Sequence, residues 1–444
     1  MNTEAPVLVV GSGITGLSAA WLLARAGRTV EIRDAASEPG GLLAPIEFSG
    51  IPCDRGSHRI HPSAHPLLLE LTRDAGWDER PRRGRLVLAQ SHMQYPLQMA
   101  DFLRGLGAKT TAHMGWNFLT RPNALRRFKS WEDDRQDARE DMGFEDFVTA
   151  RVGRRAYRQF YAPYVQKVWG LHPSEISQTV AKARVSTASP MSTIKKAVSR
   201  ASTQDHHFLY PREGMAGLVD YFITGLDVAG IPIQYNTPVT ADDLRDWGGP
   251  VVYSGHLSDL APTEGLEHRG LYIVHASLPK HTIGETDTYY VPESDYWFGR
   301  VSQPAQFSSE LSTEDCDVIC MEIPEGSWGP DRDFTTEVDA LNGQLRAAGI
   351  IPKSVGIGSV KQTFLPRVYP LYTRGWASRW NAALATVGRM GNVFPIGRQG
   401  LYLHCNIDHC VHIADECVNH LQAGRTAATW LDSVERFLEL RVRD

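Results

Sequence analysis

Whatever this chain folds into has to accommodate the stretch VLVVGSGITGLSAAWLLARAGRTVEIRD, Val7 to Asp34. The apolar run ending at Val10 reads as a strand buried on both faces of a parallel sheet. Gly11, Gly13 and Gly16 follow at G-x-G-x-x-G spacing. The first glycine permits a tight turn, the second lets backbone approach a pyrophosphate, and the third lets helix and strand pack closely. Leu17, Ala20, Trp21, Leu23 and Ala24 then recur at helical spacing. The N-terminus of such a helix attracts phosphate through its unsatisfied N–H groups and its dipole. Gly27 ends the helix, and Thr29 to Arg33 reads as a second strand. Asp34, 18 positions after Gly16, falls where a carboxylate takes ribose hydroxyls. A glycine fingerprint alone is weak evidence. With strand, helix, second strand and terminal acid in order, it predicts a dinucleotide site.

The rest of the chain bounds the class. At 444 residues there is room for two or three domains and a large core. Hydrophobic and charged contents of 42% and 22% are ordinary for a globular protein. A net charge of -5 gives no general case for nucleic acid binding. No charged-then-apolar leader precedes Val7 and no run of about 18 apolar residues occurs, so neither a signal peptide nor a transmembrane segment is expected, and a cytoplasmic enzyme is. The six cysteines form no C-x-x-C, and no histidine pair completes a zinc pattern. Reduced thiols and no metal are expected.

Further nucleotide-domain material is expected at FLYPREGMAGLVDYFITGLDVAGIPIQYNTPVT, with a helix over Gly214–Leu226 and strands over Ile231–Tyr235 and Val251–Tyr253. It is expected again at NVFPIGRQGLYLHCNIDHCVHIADECVNHL. Between these lie an Arg- and aromatic-rich stretch with helical spacing, Ala100–Ala201, and a stretch with strand alternation, Leu271–Thr363. The expected division is 1–99, 202–265 and 381–444 for a discontinuous nucleotide domain, 100–201 for a helical insertion, and 266–380 for an antiparallel substrate sheet.

Several segments carry a family resemblance. ASEPGGLL, with Gly40-Gly41, resembles the second glycine pair of the FAD-binding amine oxidase, phytoene desaturase and protoporphyrinogen oxidase group. CDRGSHRIHPSAHP, MQYPL, YAPYVQKVWG, FLYPREGMAGL, YYVPESDYWFGR, RVYPLY and GRQGLYLHCNIDH resemble, in order, segments of UDP-galactopyranose mutase and its oxidoreductase-like relatives. The resemblance implies an α/β fold with a Rossmann-type, glutathione reductase-like FAD-binding domain and an α+β substrate domain. It implies FAD held by Gly11, Gly13, Ile14, Thr15, Gly16, Asp34, Gly40, Gly41, Leu42, His58, Val239, Gly397, Arg398, Asn406, Ile407 and Asp408. His58, His61, Arg300, Arg398 and Tyr402 are the implied catalytic group, and Trp169, Tyr369 and Tyr372 the implied substrate cleft. Arg398 matches the mutase arginine that meets the substrate diphosphate. Three departures stand out: Leu42 and Leu43 where many members have Arg, His404 for the family's second tyrosine, and Ser57 before the histidine.

Two activities follow from the resemblance. One is an FAD-dependent oxidoreductase of the amine oxidase type, passing hydride from a small organic substrate to flavin N5. The alternative is a non-redox mutase acting on an anionic, nucleotide-linked sugar. A flavoprotein scaffold is a third reading, disfavoured by the retained cleft chemistry. The oligomeric state is left open.

Overall fold

The computed structural model describes residues 5–88, 90–95, 143–180, 207–326 and 332–440. Of the expected helical insertion, 143–180 is described and contains the helices Phe144–Val152 and Ala162–Trp169. Its remainder, 100–142 and 181–201, lies outside the described residues, as does the Pro-Leu of MQYPL.

Two sheets organise the described chain. The first has five parallel strands in the order Val393–Pro395, Val251–Tyr253, Val7–Val10, Val30–Arg33, Ile233–Gln234. All four residues of the central strand are buried, because helices cover both faces. The helix Ile14–Arg25 packs against the helices Gly214–Val228 and Ile407–Gln422, with Trp21 edge-on to Phe222 at 5.6 Å. The expected elements are present, with shorter strands at 30–33 and 233–234 than the sequence pattern implied.

The second sheet has seven strands, built around the long strand His268–Pro279 and antiparallel except for one parallel pair. Side chains alternate across a strand, and here the two rows enter different cores. Leu271 and Ile273 join the core of the first sheet. Tyr272, Val274 and Ala276 join a second core with Leu341 and Leu345 of the helix Val338–Ala347. The sheet also takes in the hairpin Gly84–Leu88 and Ser91–Tyr95. Residues 84–95 thus pair with the second sheet, although they fall within the 1–99 range expected for the nucleotide domain. A separate two-stranded ladder pairs Trp77–Pro81 with His207–Pro211.

The glycine turn is the tightest contact in this architecture. Gly11 has φ +97°, and a Cβ on Gly16 would lie 1.8 Å from the Gly11 carbonyl oxygen. That neighbour is backbone and cannot swing aside. Gly16→Ala is therefore expected to force helix and strand apart and to destabilise the protein by about 1–3 kcal/mol, read as a lower Tm. A wild-type Tm in the variant would overturn this reading of the turn.

Candidate functional site

The glycine loop is open at Gly13 and closed at Gly16. A Cβ on Gly13 would meet nothing nearer than the Gly40 carbonyl oxygen at 4.0 Å, so the backbone there faces open space while Gly16 is shut against Gly11. Ile14 and Thr15 open the helix and are buried. Asp34 ends the second strand beside this loop. Its Oδ2 accepts from Ser12 N at 2.5 Å and Ser12 Oγ at 2.6 Å, and its Oδ1 accepts from Ala36 N at 2.7 Å. One carboxylate thus orders the loop. Thr237 N donates to Asp34 O at 2.8 Å, which runs the segment leading to the half-buried Val239 alongside.

The second glycine pair sits against the first. Gly13 and Gly40 form a parallel bridge, and a Cβ on Gly41 would lie 3.3 Å from Gly13 Cα. Leu43 is buried and Leu42 half-buried against the core, so neither supplies the arginine many relatives have here. Arg55 does come to this pair. Its Nη1 donates to Gly41 O at 3.0 Å and its Nη2 to Glu38 Oε1 at 3.1 Å. Its Nε is buried with no hydrogen-bond partner among the described residues. A cation held beside a doubled glycine turn is suited to a diphosphate. The sequence reading missed Arg55; its place in CDRGSH, three positions before an expected site histidine, was the available signal.

The same turn connects to the second sheet. Glu322, on the strand Cys316–Pro324, accepts from Ser57 N at 2.9 Å and Ser57 Oγ at 2.7 Å through Oε1. Its Oε2 accepts from Arg300 Nε at 3.0 Å and Nη2 at 2.5 Å. Burial pushes the Glu322 carboxyl up, but Arg300 and the two Ser57 bonds outweigh it and hold it below the usual range. His58 follows Ser57, its side chain 27% exposed. Surrounding burial pushes its pKa down against the pull of Glu322, with Arg300 and Arg398 adding to the fall. It is therefore neutral at pH 7, able to donate from one ring nitrogen and accept at the other. Behind it, buried Asp54 accepts from Tyr210 Oη at 2.5 Å and lies 3.9 Å from His58 Nδ1.

A cleft lined by Tyr164, Val168, Leu271, Pro324 and Tyr369 opens beside Arg300 and Glu322. Trp169 and His404 lie 6.4 Å and 5.9 Å from the Tyr369 ring, and the Arg398 guanidinium is 5.8 Å from it. Arg398 Nε and Nη2 donate to Val368 O, and Nη1 donates to Cys405 O at 2.9 Å. Gly397, just before it, packs against Thr15. Asn406 then begins the last long helix, and the half-buried Ile407 follows. Asp408 Oδ2 accepts from His65 N at 2.9 Å.

Three expected site residues are placed differently. The Tyr402 hydroxyl donates to Glu267 O at 2.5 Å and accepts from Leu371 N at 3.0 Å. Tyr372 Oη donates to Tyr402 O at 3.1 Å and accepts from His404 N at 2.8 Å. Both are buried, so these phenols brace backbone and are not presented to a substrate. His61 Nδ1 accepts from Ser63 N at 3.0 Å, closing a local turn. Aromatic residues in a glycine-rich motif are equally compatible with cleft and core, which is why spacing alone did not separate them.

A larger open cavity of about 600 Å³ lies at the end of the last long helix, lined by His420, Arg425 and Arg436 among others. It contains no expected site residue, and the chemistry-bearing groups converge on the smaller cleft. Among the described residues, no group of three His, Cys, Asp or Glu side chains is arranged to hold a metal, and no helix is long and apolar enough to cross a membrane.

Comparison with known proteins adds to this geometry. The profile of the flavin containing amine oxidoreductase family matches residues 14–246, more than half of the chain. The dTDP-fucopyranose mutase of Escherichia coli is 22% identical over 421 residues, covering 93% of this chain and 97% of that protein. Among solved structures, reduced UDP-galactopyranose mutase superposes with a TM-score of 0.79 at 17% identity, covering 100% of this chain and 98% of that one. Cyclohexylamine oxidase from Brevibacterium oxydans superposes with a TM-score of 0.62 at 15% identity, covering 98% and 100%.

Two expectations follow from the site. A charge-assisted hydrogen bond contributes about 1.5–3 kcal/mol, so Arg55→Ala should weaken FAD retention by roughly tenfold to a hundredfold, measured by flavin titration. Unchanged affinity would remove Arg55 from the cofactor site. Burial raises Asp54 from 3.8 to about 7, so the folded protein holds this proton more tightly than the unfolded chain. Its stabilising contribution is complete below the unfolded value and is lost as pH rises to about 7. Asp54→Asn cannot titrate. Its urea midpoint relative to wild type should therefore rise steadily between about pH 4 and pH 7; a constant difference would contradict the assignment.

Proposed function

Since the chain belongs to the flavin containing amine oxidoreductase family and its cofactor is FAD, we propose that it is an FAD-dependent oxidoreductase passing hydride from a small organic substrate to flavin N5. The observation that carries this reading is the commitment of the groups a sugar-nucleotide diphosphate would need. Arg398 is bonded to Val368 O and Cys405 O, Arg300 to Glu322, and Tyr402 to main chain. His404 stands where the mutases have their second tyrosine.

In this reading the five-stranded parallel sheet is a Rossmann-type, glutathione reductase-like FAD-binding domain assembled from three chain segments, and the seven-stranded sheet belongs to the substrate domain. The bound flavin supplies the electron-accepting chemistry, which leaves the protein to bind, orient and exclude water. Gly11 and Gly13 would hold the pyrophosphate with Gly40, Gly41 and Arg55, Gly16 keeps helix and strand close, and Asp34 would take the ribose. Asn406, Ile407 and Asp408 form the start of the last long helix, whose positive end would favour negative charge on a flavin held there. Tyr164, Val168, Leu271 and Tyr369 keep water from the apolar body of a substrate. Neutral His58 exchanges a proton at a ring nitrogen.

A second reading has one specific support. The pairing with dTDP-fucopyranose mutase spans nearly both chains, which favours a non-redox rearrangement of an anionic, nucleotide-linked sugar.

Anaerobic spectroscopy separates the two. Amines and polyenes are offered to the oxidised holoenzyme without added reductant, and loss of the flavin band near ~450 nm is the expected result. If no such compound bleaches it, and UDP- or dTDP-sugars isomerise only after dithionite reduction, the mutase reading replaces the oxidoreductase one.

A further inference from the structure

All six cysteines are thiols, and two of them lie in contact beside the flavin segment. Cys405 and Cys410 are both buried, with their sulfurs 3.6 Å apart. Cys405 precedes the last long helix and Cys410 falls in its second turn, with Asn406, Ile407, Asp408 and His409 between them. Cys405 O receives Arg398 Nη1, and the Thr15 side chain, from the glycine-loop helix, hydrogen-bonds the Cys410 sulfur. Neither thiol has a part in the function proposed above.

We infer that Cys405 and Cys410 form a peroxide-oxidisable dithiol, which closes to a disulfide across the turn carrying Asn406, Ile407 and Asp408. A disulfide needs sulfurs about 2.05 Å apart, so a small inward movement of the turn completes it. Cys410 is the attacking sulfur. Hydrogen bonds from Cys405 and Thr15 hold its thiol below the usual range, with the Arg398 charge acting the same way. The shared hydrogen bond and burial push Cys405 well above that range. Such a thiolate near a helix N-terminus is the reactive form.

The chemistry closes without another reactant. The Cys410 thiolate attacks one oxygen of hydrogen peroxide; an S–O bond forms, the O–O bond breaks, and hydroxide leaves to become water on protonation. Cys405 then attacks the sulfenic sulfur, the S–S bond forms, and the S–O oxygen leaves as a second water. Two thiols and one peroxide give one disulfide and two waters. Closure draws in the turn in which Asp408 receives His65 N, so the oxidation state of the pair is coupled to how firmly FAD is held.

The test uses the FAD-loaded full chain. After brief exposure to hydrogen peroxide, quenching, denaturation and alkylation, a loss of two of the six titratable thiols is expected, with fragment ions linking 405 to 410 and release of flavin. Cys405→Ser should trap the sulfenic acid as a dimedone adduct on Cys410, and Cys410→Ser should give neither adduct nor bond. If a variant fails to fold, the wild-type mass measurement still decides. Full alkylation of both residues after peroxide, a bond to another cysteine, or flavin retained with the disulfide present would overturn the proposal.

Discussion

Glu322 holds the two halves of the site together. Its carboxylate is buried and receives four hydrogen bonds, two from Ser57 and two from Arg300. Ser57 belongs to the turn that follows the strand Ile51–Cys53, and Arg300 and Glu322 to neighbouring strands of the second sheet. An ionised carboxylate taken out of water without such partners would cost several kcal/mol. The turn and the sheet must therefore meet in one register. The close approach of Gly56 is part of this fit, since a Cβ there would lie 3.4 Å from the Glu322 carboxyl. Whatever bridges nucleotide loop and cleft has to pass this junction.

From it the site extends in both directions. Towards the nucleotide loop, Arg55 links the turn to Gly41, and Gly40 bridges to Gly13. Towards the cleft, Arg300 lies beside Tyr369, over which Arg398, Trp169 and His404 gather. Four stretches of sequence, around residues 11, 55, 300 and 400, are thereby brought to one place. The charges among them are largely compensated inside the protein, and His58 is kept neutral by burial and by two nearby cations.

The phenols of this region illustrate how the same motif serves packing. Tyr402 sits at φ +53°, a conformation a non-glycine residue adopts at some cost. Its hydroxyl bonds to Glu267 O and Leu371 N, and that of Tyr372 to Tyr402 O, so the strained residue is locked by its own side chain and its neighbour's. Trp380 Nε1 adds a bond to Leu401 O at 2.8 Å. This bracing fixes the turn from Gly397 to Asp408, which has to arrive beside Thr15 with little freedom.

The strand-turn-helix from Val7 to Asp34 was legible in the sequence because each of its steps is local. Glycine spacing, apolar periodicity and a terminal acid are all set within a few residues of one another. The helix starting at Gly214, the strand at Val251 and the return at Val393 were legible for the same reason. Arg55 beside Gly41, Ser57 on Glu322 and the thiol contact of Cys405 with Cys410 were not, because side-chain reach depends on how segments pack. Nor could spacing tell that Tyr372 and Tyr402 turn inward while Tyr369 lines the cleft, or that residues 84–95 pair with the second sheet. By itself the sequence determined the parallel strand-helix framework around Val7–Asp34 and where its loops lie. Tertiary structure decided which polar groups remain for a ligand, because a buried donor or charge must first satisfy its neighbours across hundreds of residues.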